Sequence, residues 1–241
     1  MERHSFYSVA IFGLLITAGI VIAGYAVGNG ISRIRTSDRF VSVRGLAERD
    51  VSADLAIWPI SFDVTGNELA DLQQKVDAKR GLVSDFLSES GFAQTEISHA
   101  APKIRDNEAT TNYETRIETK FRYTARTIVL LRSEKVPLVK QAMEKSGILV
   151  GKGIVLAAEN WENRTEFLFT ALNDIKPAMI EEATLNARSA AEKFAKDSES
   201  RIGKIRNATQ GLFSIQDRDM NSPDMKKVRV VTTVEYYLID E

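Results

Sequence analysis

The most regular segment of the chain is Val228-Arg-Val-Val-Thr-Thr-Val-Glu-Tyr-Tyr-Leu238. Apolar or threonine side chains alternate along it from Val228 to Leu238, which is the period of a strand with one buried face. Val231, Thr233 and Tyr237 place β-forming residues on the other face as well. We therefore predict a central strand whose two faces are covered by helices or by another subunit.

Upstream of this strand, short apolar or alternating runs predict seven further strands, of which the first is interrupted. Gly45 is expected to break the first run, and Pro59 to mark an edge or a bulge in the second. The predicted strands cover residues 40–43, 51–64, 96–105, 120–132, 148–157, 164–172 and 205–215. Polar loops are predicted over residues 106–114 and 216–227.

Helical spacing of apolar residues predicts three helices, over residues 67–90, 133–145 and 177–202. Ser133 is expected to cap the second helix, and Gly91 and Gly203 to follow the ends of the first and third. The third helix carries a stripe of small residues at four-residue steps, which would let a neighbouring sheet approach closely: Ala183, Ala187, Ala191 and Ala195.

The order of these elements indicates the fold class. The chain repeats strand, strand, helix three times and closes with two strands. Such a plan is typical of an α+β protein, in which helices pack on a mainly antiparallel sheet.

Charge and composition exclude several function classes. The chain has 241 residues, and its 32 Lys and Arg residues are balanced by 33 Asp and Glu residues without a basic block. This distribution argues against a nucleic-acid partner. The absence of cysteine excludes disulfides, thiolate metal sites and a cysteine nucleophile, and two histidines exclude a multi-histidine metal site within one chain. We expect no metal and no cofactor.

The N-terminal segment predicts a membrane anchor. Ser5 to Ser32 are 28 residues without a charged side chain, and the apolar run from Phe6 to Val27 would extend about 33 Å as a helix. We expect residues 6–31 to contact the bilayer, residues 1–32 to be the anchor or an uncleaved signal, 33–39 a linker, and 40–241 the body. A cleaved signal peptide and a buried helix remain alternatives.

The flanking charges leave the side of the body undecided. Arg33, Arg35 and Arg39 follow the apolar run, whereas Arg3 is its main preceding cation. The positive-inside rule alone would place the body in the cytoplasm. A single span at the N-terminus, however, often acts as an export signal-anchor.

Five short motifs in order resemble the SIMPL-domain family, formerly a domain of unknown function, over residues 40–238. The first two are Val41-x-Val43-x-Gly45 and the strand 53–57 around Asp54. The others are Tyr123-x-Ala125, the alanine series followed by Ile202-Gly203-x-Ile205, and the closing strand 230–236. Ala47 stands where the family often has a second glycine.

This resemblance implies a non-enzymatic envelope protein. Bacterial members of the family are exported to the periplasm or outer membrane and are associated with oxidative-stress tolerance, some assemble into large ring- or channel-like oligomers, and an animal member is tied to kinase signalling. The resemblance therefore favours a single-pass protein of the bacterial inner membrane with a self-associating body in the periplasm. The alternative is a ligand- or peptide-binding module of the envelope, with a groove between helices and sheet.

No residue pattern indicates catalysis, so we predict that the protein is not an enzyme and has no catalytic, cofactor or metal residues. His99 lies on a strand candidate without a nearby nucleophile, and Asp54 is expected to bind backbone amides at a turn or strand edge. Glu181 and Glu182 are expected to complement a helix dipole. Residues 151–153 lack the spacing of a phosphate loop.

The aromatic pairs Phe121/Tyr123 and Tyr236/Tyr237 are expected to pack within the sheet, with a ligand cage as the alternative.

Overall fold

The computed structural model describes residues 13, 16–27, 39–109, 120–158 and 163–240. Over these residues the chain is α+β, as predicted. Residues 16–27 are helical (α1). The other helices and strands are β1 Phe40–Ser52, β2 Leu55–Gly66, α2 Leu69–Glu89, β3 Ile97–His99, β4 Lys103–Asp106, β5 Tyr123–Ser133, α3 Val136–Lys145, α4 Gly147–Gly151, β6 Glu166–Leu168, α5 Leu172–Asp197, β7 Ser200–Gln210, β8 Ser214–Asp217 and β9 Met225–Asp240.

The chain divides into two compact units. The first contains residues 1–48, 176–213 and 229–241, and the second contains residues 49–175 and 214–228. The strands lie in two sheets: one has the order β1-β9-β7, with β8 also pairing with β9, and the other has the order β3-β5-β2-β6, with β4 also pairing with β5.

The core of the second unit lies between one face of its sheet and the helices. β2 and β5 pair antiparallel over eleven positions, from Ala56 opposite Ser133 to Gly66 opposite Tyr123. The predicted alternation along β5 is confirmed, because Ala125, Thr127, Val129 and Leu131 are all buried. Every second residue of β2, including Ile60, Phe62 and Val64, packs into the same core with residues of α2 and α3.

In the first unit, the sheet packs one face against α5. β9 lies between β1 and β7, which confirms the prediction of a central strand. Its buried side chains Val234 and Tyr236 pack with Ala187 and Ala191 of α5 and with Val43 of β1. All four alanines of the stripe are buried, as their spacing predicts.

The second face of β9 differs from the prediction. Tyr237 and Ile239 expose 36% and 55% of their surface, whereas Val231 and Thr233 are half-buried. Cover of this second face by helices is therefore wrong, whereas its cover by another subunit stays a prediction. β-branched and aromatic residues here satisfy strand propensity without being buried.

Gly45 does not break the first strand, because β1 runs without interruption from Phe40 to Ser52. A Cβ atom on Gly45 would lie 1.8 Å from the carbonyl oxygen of Ala183 and 2.5 Å from the backbone nitrogen of Ala187. The glycine is explained by this close approach of strand and helix, not by a turn.

The strand predicted over residues 148–157 is wrong. Gly147–Gly151 form the short helix α4, and Gly153 adopts a positive φ of 79°. Only one bridge forms, between Leu156 and Phe62. Leu149 and Ile154 are both fully buried, so the apolar run supplies core contacts in a compact helix and turn.

The third long helix is displaced from its prediction toward the N-terminus. α5 begins at Leu172 and ends at Asp197, so Pro177 lies inside it and Ile202 beyond it. Glu199 adopts φ of 52° directly after the helix, and Gly203 belongs to β7. Tertiary contacts thus override the local signals of proline and glycine at both ends.

Smaller differences concern strand lengths and helix starts. The predicted strand 96–105 is divided into β3 and β4, and 164–172 contains only the three residues of β6. The repeat of two strands and a helix is therefore not kept. Helix α2 and its stop at Gly91, with φ of 97°, agree with the prediction. Lys135, not Ser133, is the N-cap of α3, and Ser133 Oγ accepts the Lys135 N–H at 3.1 Å.

The predicted anchor is only partly described. Residues 1–12, 14–15 and 28–38, which include most of the predicted linker, lie outside the described residues, as do residues 110–114 of the predicted polar loop. Within the described part, no helix combines the length and the hydropathy needed to cross a bilayer.

Candidate functional site

A polar cleft lies on the face of the second unit's sheet that points away from its helices. Ser61 and Asp63 of β2 alternate with Ile60, Phe62 and Val64, which face the core. The cleft has a volume of about 260 Å³, slightly below the usual size of drug-binding pockets. Its lining comes from β2, β4, β5 and two loops: Ser61, Asp63, Ala100, Ala101, Lys103, Arg105, Thr124, Arg126, Ile128 and Asn163.

An ion pair crosses the two central strands of the cleft. Asp63 and Arg126 stand opposite each other in the β2–β5 register. Arg126 donates from Nε to Asp63 Oδ1 at 2.8 Å and from a terminal nitrogen to Oδ2 at 2.9 Å. These bonds lower the pKa of Asp63 from its usual 3.8, although partial burial acts in the opposite direction. Asp63 is therefore a carboxylate at neutral pH and is already paired.

Ser61 is the unusual polar group of the cleft. Its side chain is buried, with 4% exposure, and its Oγ has no hydrogen-bond partner among the residues that the structure describes. Its own backbone is paired, since the carbonyl accepts the Ala157 N–H at 2.8 Å. An unpaired buried hydroxyl costs about 1–3 kcal/mol, so its position in a cleft calls for a reason.

The remaining charges of the cleft are cationic. Lys103 and Arg105 are neighbours of Arg126 and Thr124 in the β4–β5 register. Among the described residues that line the cleft, they and Arg126 give three cationic side chains against one carboxylate, Asp63. No carboxylate in the described part of the chain pairs with Lys103, and Arg105 Nε donates to Asn107 Oδ1 at 3.3 Å. The cleft therefore has an excess of positive charge.

Asp54 binds backbone amides, as predicted. Its carboxylate accepts the Thr170 N–H at 2.8 Å and the Ala171 N–H at 2.9 Å, and also the Thr170 hydroxyl at 3.0 Å. These two residues directly precede the first residue of α5, Leu172. Asp54 thus acts as a capping group supplied from a distant part of the sequence, and the structure assigns it to stabilisation of the helix start.

His99 lies at the end of β3 and is exposed. Ser84 of α2 lies beside it, with its Oγ 3.5 Å from His99 Nε2. Nucleophile and base in a catalytic pair usually approach to about 2.6–3.2 Å, and a third group orients the base. In the described residues, no carboxylate hydrogen-bonds to His99.

The other sequence candidates do not come together. Glu181 and Glu182 lie in the third turn of α5, because the helix begins at Leu172, so they do not complement its N-terminal dipole. Tyr236 is buried whereas Tyr237 is exposed on the opposite face of β9, and they do not form one cage. Phe121 contacts the ammonium of Lys120 at 5.7 Å.

Among the described residues, no group of three or more His, Asp or Glu side chains is arranged to hold a metal ion. Sequence reasoning did not select the residues of the cleft. The signal that it passed over is the polar alternation of Ser61 and Asp63 inside an otherwise apolar strand. Lys103, Arg105 and Arg126 join them only through strand pairing.

The first unit presents a second candidate surface, which we call the open face. It is the side of the β1-β9-β7 sheet away from α5, and its exposed apolar residues are Phe40, Leu46, Tyr237 and Ile239. Charged side chains are interspersed: Arg206 stacks on the Phe40 ring at 4.0 Å, and Arg229 contacts Glu48 at 3.5 Å.

Comparison with known families gives one match. The family model SIMPL, described as a protein of unknown function (DUF541), matches residues 41–236. No curated protein matches the chain.

Proposed function

The chain belongs to the SIMPL family, and from this premise we propose that it is a non-enzymatic, membrane-anchored and self-associating protein of the bacterial cell envelope. Its body, residues 40–241, would lie in the periplasm and contribute to tolerance of oxidative and envelope stress. Residues 6–31 would contact the lipid bilayer.

The open face is the observation that carries self-association. Leu46 and Phe40 of β1 expose 39% and 42% of their surface, and Tyr237 and Ile239 of the central strand expose 36% and 55%. Large apolar side chains exposed together on one face of a sheet are typical of a surface that associates with another protein. A second copy of the chain would cover them, with Arg44 and Glu235 of the same face available for ion pairs.

The edges of the same sheet also favour assembly. β1 and β7 are the ends of the strand order β1-β9-β7, and β7 exposes most of its residues from Lys204 to Gln210. An exposed edge presents unpaired backbone groups to another chain. Face and edge together give one protomer two surfaces on which a closed ring can be built.

The test is the mass of the full chain in detergent, measured by light scattering at micromolar concentration. We expect an oligomer, and we expect Leu46→Lys with Ile239→Lys to dissociate it because both place charge on the open face. The matched control is Leu212→Lys, because Leu212 is 95% exposed outside the strands of the sheet. A monomeric wild type, or an oligomer equally indifferent to all three changes, would contradict the proposal.

Membrane anchoring and orientation need a separate experiment. A reporter that is active only after export would be fused after Glu241, and a cytoplasmic reporter at the same position would serve as its control. We expect activity of the exported reporter alone. The opposite pattern would place the body in the cytoplasm, in agreement with Arg33, Arg35 and Arg39.

The cleft supports a second candidate function, a ligand-binding module of the envelope. It differs from the groove expected between helices and sheet, because it lies on the sheet face that the helices leave open. Its buried unpaired hydroxyl and excess positive charge are the observations that favour this function.

A further inference from the structure

We propose that the cleft of the second unit binds a small organic or inorganic anion, carrying a carboxylate or phosphate group, through the hydroxyl of Ser61 and the cations Lys103 and Arg105. This inference rests on the second candidate function, ligand binding, and is independent of self-association.

The Ser61 hydroxyl is a buried polar group that the described residues leave without a hydrogen bond. Ser61 lines the cleft, its side chain is more than nine-tenths buried, and its Oγ lacks a partner in the described part of the chain. A hydroxyl can donate one hydrogen bond and accept others. Its partner across β5 is Ile128, and Ala100, directly after β3, donates its N–H to the Ile128 carbonyl, so both neighbours offer apolar side chains. A ligand oxygen in the cleft would supply the acceptor that the protein leaves out.

The positive charge of the described cleft residues favours an anionic ligand. Asp63 is saturated on both oxygens by Arg126, so it repels an incoming anion less than an isolated carboxylate would. Lys103 and Arg105 stand on the adjacent edge strand and carry the two positive charges that Asp63 does not balance. In a partly enclosed cleft these charges act with less screening than on an open surface.

The volume of the cleft limits the size of the ligand. A cavity of about 260 Å³ accepts a small molecule but not a folded partner. Ala100, Ala101 and Ile128 form an apolar part of its wall. The ligand class that fits is therefore a small anion with a short apolar or neutral portion, since the anionic group would meet Ser61 and Lys103 while the remainder contacts these side chains.

The test uses the full chain and isothermal titration calorimetry at constant ionic strength. The probes are inorganic phosphate, succinate, and glycerol as a neutral molecule of similar size. We expect phosphate or succinate to bind at one site and glycerol not to bind. Which anion binds more tightly identifies the phosphate or the carboxylate as the recognised group.

Two variants locate the binding. Ser61→Ala and Lys103→Gln should each weaken the better anion about tenfold, as is usual when a hydrogen bond to a charged group is lost. Thr232→Val is the control for removal of a buried unpaired hydroxyl elsewhere, and Lys193→Gln is the control for loss of an exposed charge. Both controls should bind like the wild type. Ser61→Ala should also keep or raise the melting temperature, which separates lost binding from lost folding.

Each of the other outcomes would contradict one named part of the proposal: the class of ligand, the ligand-binding function or the location of the site. Binding of glycerol without either anion would overturn the anion class and leave the ligand-binding function standing. Binding of none of the three probes would overturn both. Anion binding that is unchanged in Ser61→Ala and Lys103→Gln would show that the anion sits elsewhere, and the proposed site would be wrong.

Discussion

The Asp54 carboxylate accepts the backbone N–H of Thr170 with both oxygens, at 2.8 and 3.0 Å, although 116 residues separate the two in sequence. The neighbouring Ala171 N–H is bound by the same carboxylate. The N–H groups at a helix start have no partner within the helix, and a side-chain oxygen at this place satisfies them.

Removal of this contact should therefore destabilise the start of α5. We expect Asp54→Ala to lower the free energy of unfolding by about 0.5–2 kcal/mol, measured by urea denaturation. Asp54→Asn should lose less, because the amide keeps one acceptor oxygen. The control is Asp50→Ala, which removes only an exposed contact to Lys227 at 3.9 Å. Equal stability of Asp54→Ala and Asp50→Ala would refute the capping role.

Gly45 should tolerate no side chain. The Cβ of Gly45→Ala would lie 1.8 Å from the Ala183 carbonyl oxygen, so strand and helix would have to separate. We expect a loss of at least about 1–3 kcal/mol, the range of an overpacked core, seen as a lower melting temperature.

The matched control is Gly81→Ala in α2, where a Cβ meets nothing within 4 Å. It should stabilise by about 0.5–1 kcal/mol, since alanine favours the helix. A Gly45→Ala protein as stable as the wild type would mean that β1 and α5 do not approach as described.

The central strand β9 should not accept a charge on its buried face. Val230 is fully buried, and burial of a valine side chain contributes about 1.5–3 kcal/mol. Val230→Asp loses this burial energy and also buries a carboxylate. The total stability of a domain is only about 5–15 kcal/mol, so the loss is a large part of it. We expect no cooperative transition by circular dichroism.

Arg229→Gln is the comparison on the opposite face, because Arg229 makes only an exposed contact to Glu48 and should be nearly neutral. Deletion of residues 228–241 should yield an aggregating fragment, since β1 and β7 would lose the strand between them. A soluble truncation that melts cooperatively would show that β9 is a detachable arm.

The unpaired hydroxyl of Thr232 lowers the stability of the fold, and a substitution can remove it. Its hydroxyl is buried, with 4% exposure, and lacks a partner among the described residues. Thr232→Val keeps the shape and removes the unpaired group, so we expect a gain of about 1 kcal/mol in thermal or urea unfolding. Thr233→Val, on the half-exposed face of the same strand, should change stability by less than about 0.5 kcal/mol. A destabilised Thr232→Val would indicate that the hydroxyl is paired in solution.

Acid should weaken the second unit through the Asp63–Arg126 pair. The hydrogen bond from Arg126 lowers the pKa of Asp63 in the folded state below its usual 3.8. A depressed folded pKa stabilises the protein fully above the unfolded pKa, and this contribution is lost as the pH falls through the folded pKa. Hydrogen bonds from Ser133 to Glu96 and from Lys140 to Asp224 lower the pKa values of those carboxylates in the same direction.

We therefore expect the free energy of unfolding to be flat near neutral pH and to fall below about pH 4. A double-mutant cycle of Asp63→Asn and Arg126→Gln at pH 7 should give a coupling of about 0.2–1 kcal/mol, the range of exposed pairs, and none well below the folded pKa. Coupling that persists unchanged in acid would contradict the role of the charge.

Local periodicity was sufficient for most regular elements. The alternation of β5 and β9, the apolar spacing of α2 and the alanine stripe of α5 all have the burial that their patterns predict. These patterns succeed because a strand or helix must turn every second, third or fourth side chain toward one core. The binding of backbone amides by Asp54 was also expected, because a lone carboxylate in an apolar stretch needs backbone donors, but its place at the start of a helix was not.

Local signals failed where a distant contact set the backbone. Glycine and proline usually interrupt a strand or a helix. Here, however, Gly45 lies within a strand that packs against α5, and Pro177 lies within a helix that begins at Leu172. The apolar run 148–157 fits a strand or a compact helix equally well by composition. Only its burial against the core, through Leu149 and Ile154, decides for the helix and turn.

What the sequence by itself determined, then, is the family, the α+β class and the buried faces of the longer elements, because these follow from local spacing and residue type. The cleft was decided by tertiary structure alone. Ser61, Lys103 and Arg126 come from three strands, and only the pairing of β2 and β4 with β5 places them around one cavity. Strand pairing joins residues that are distant in sequence, and no local period records which strand will lie beside which.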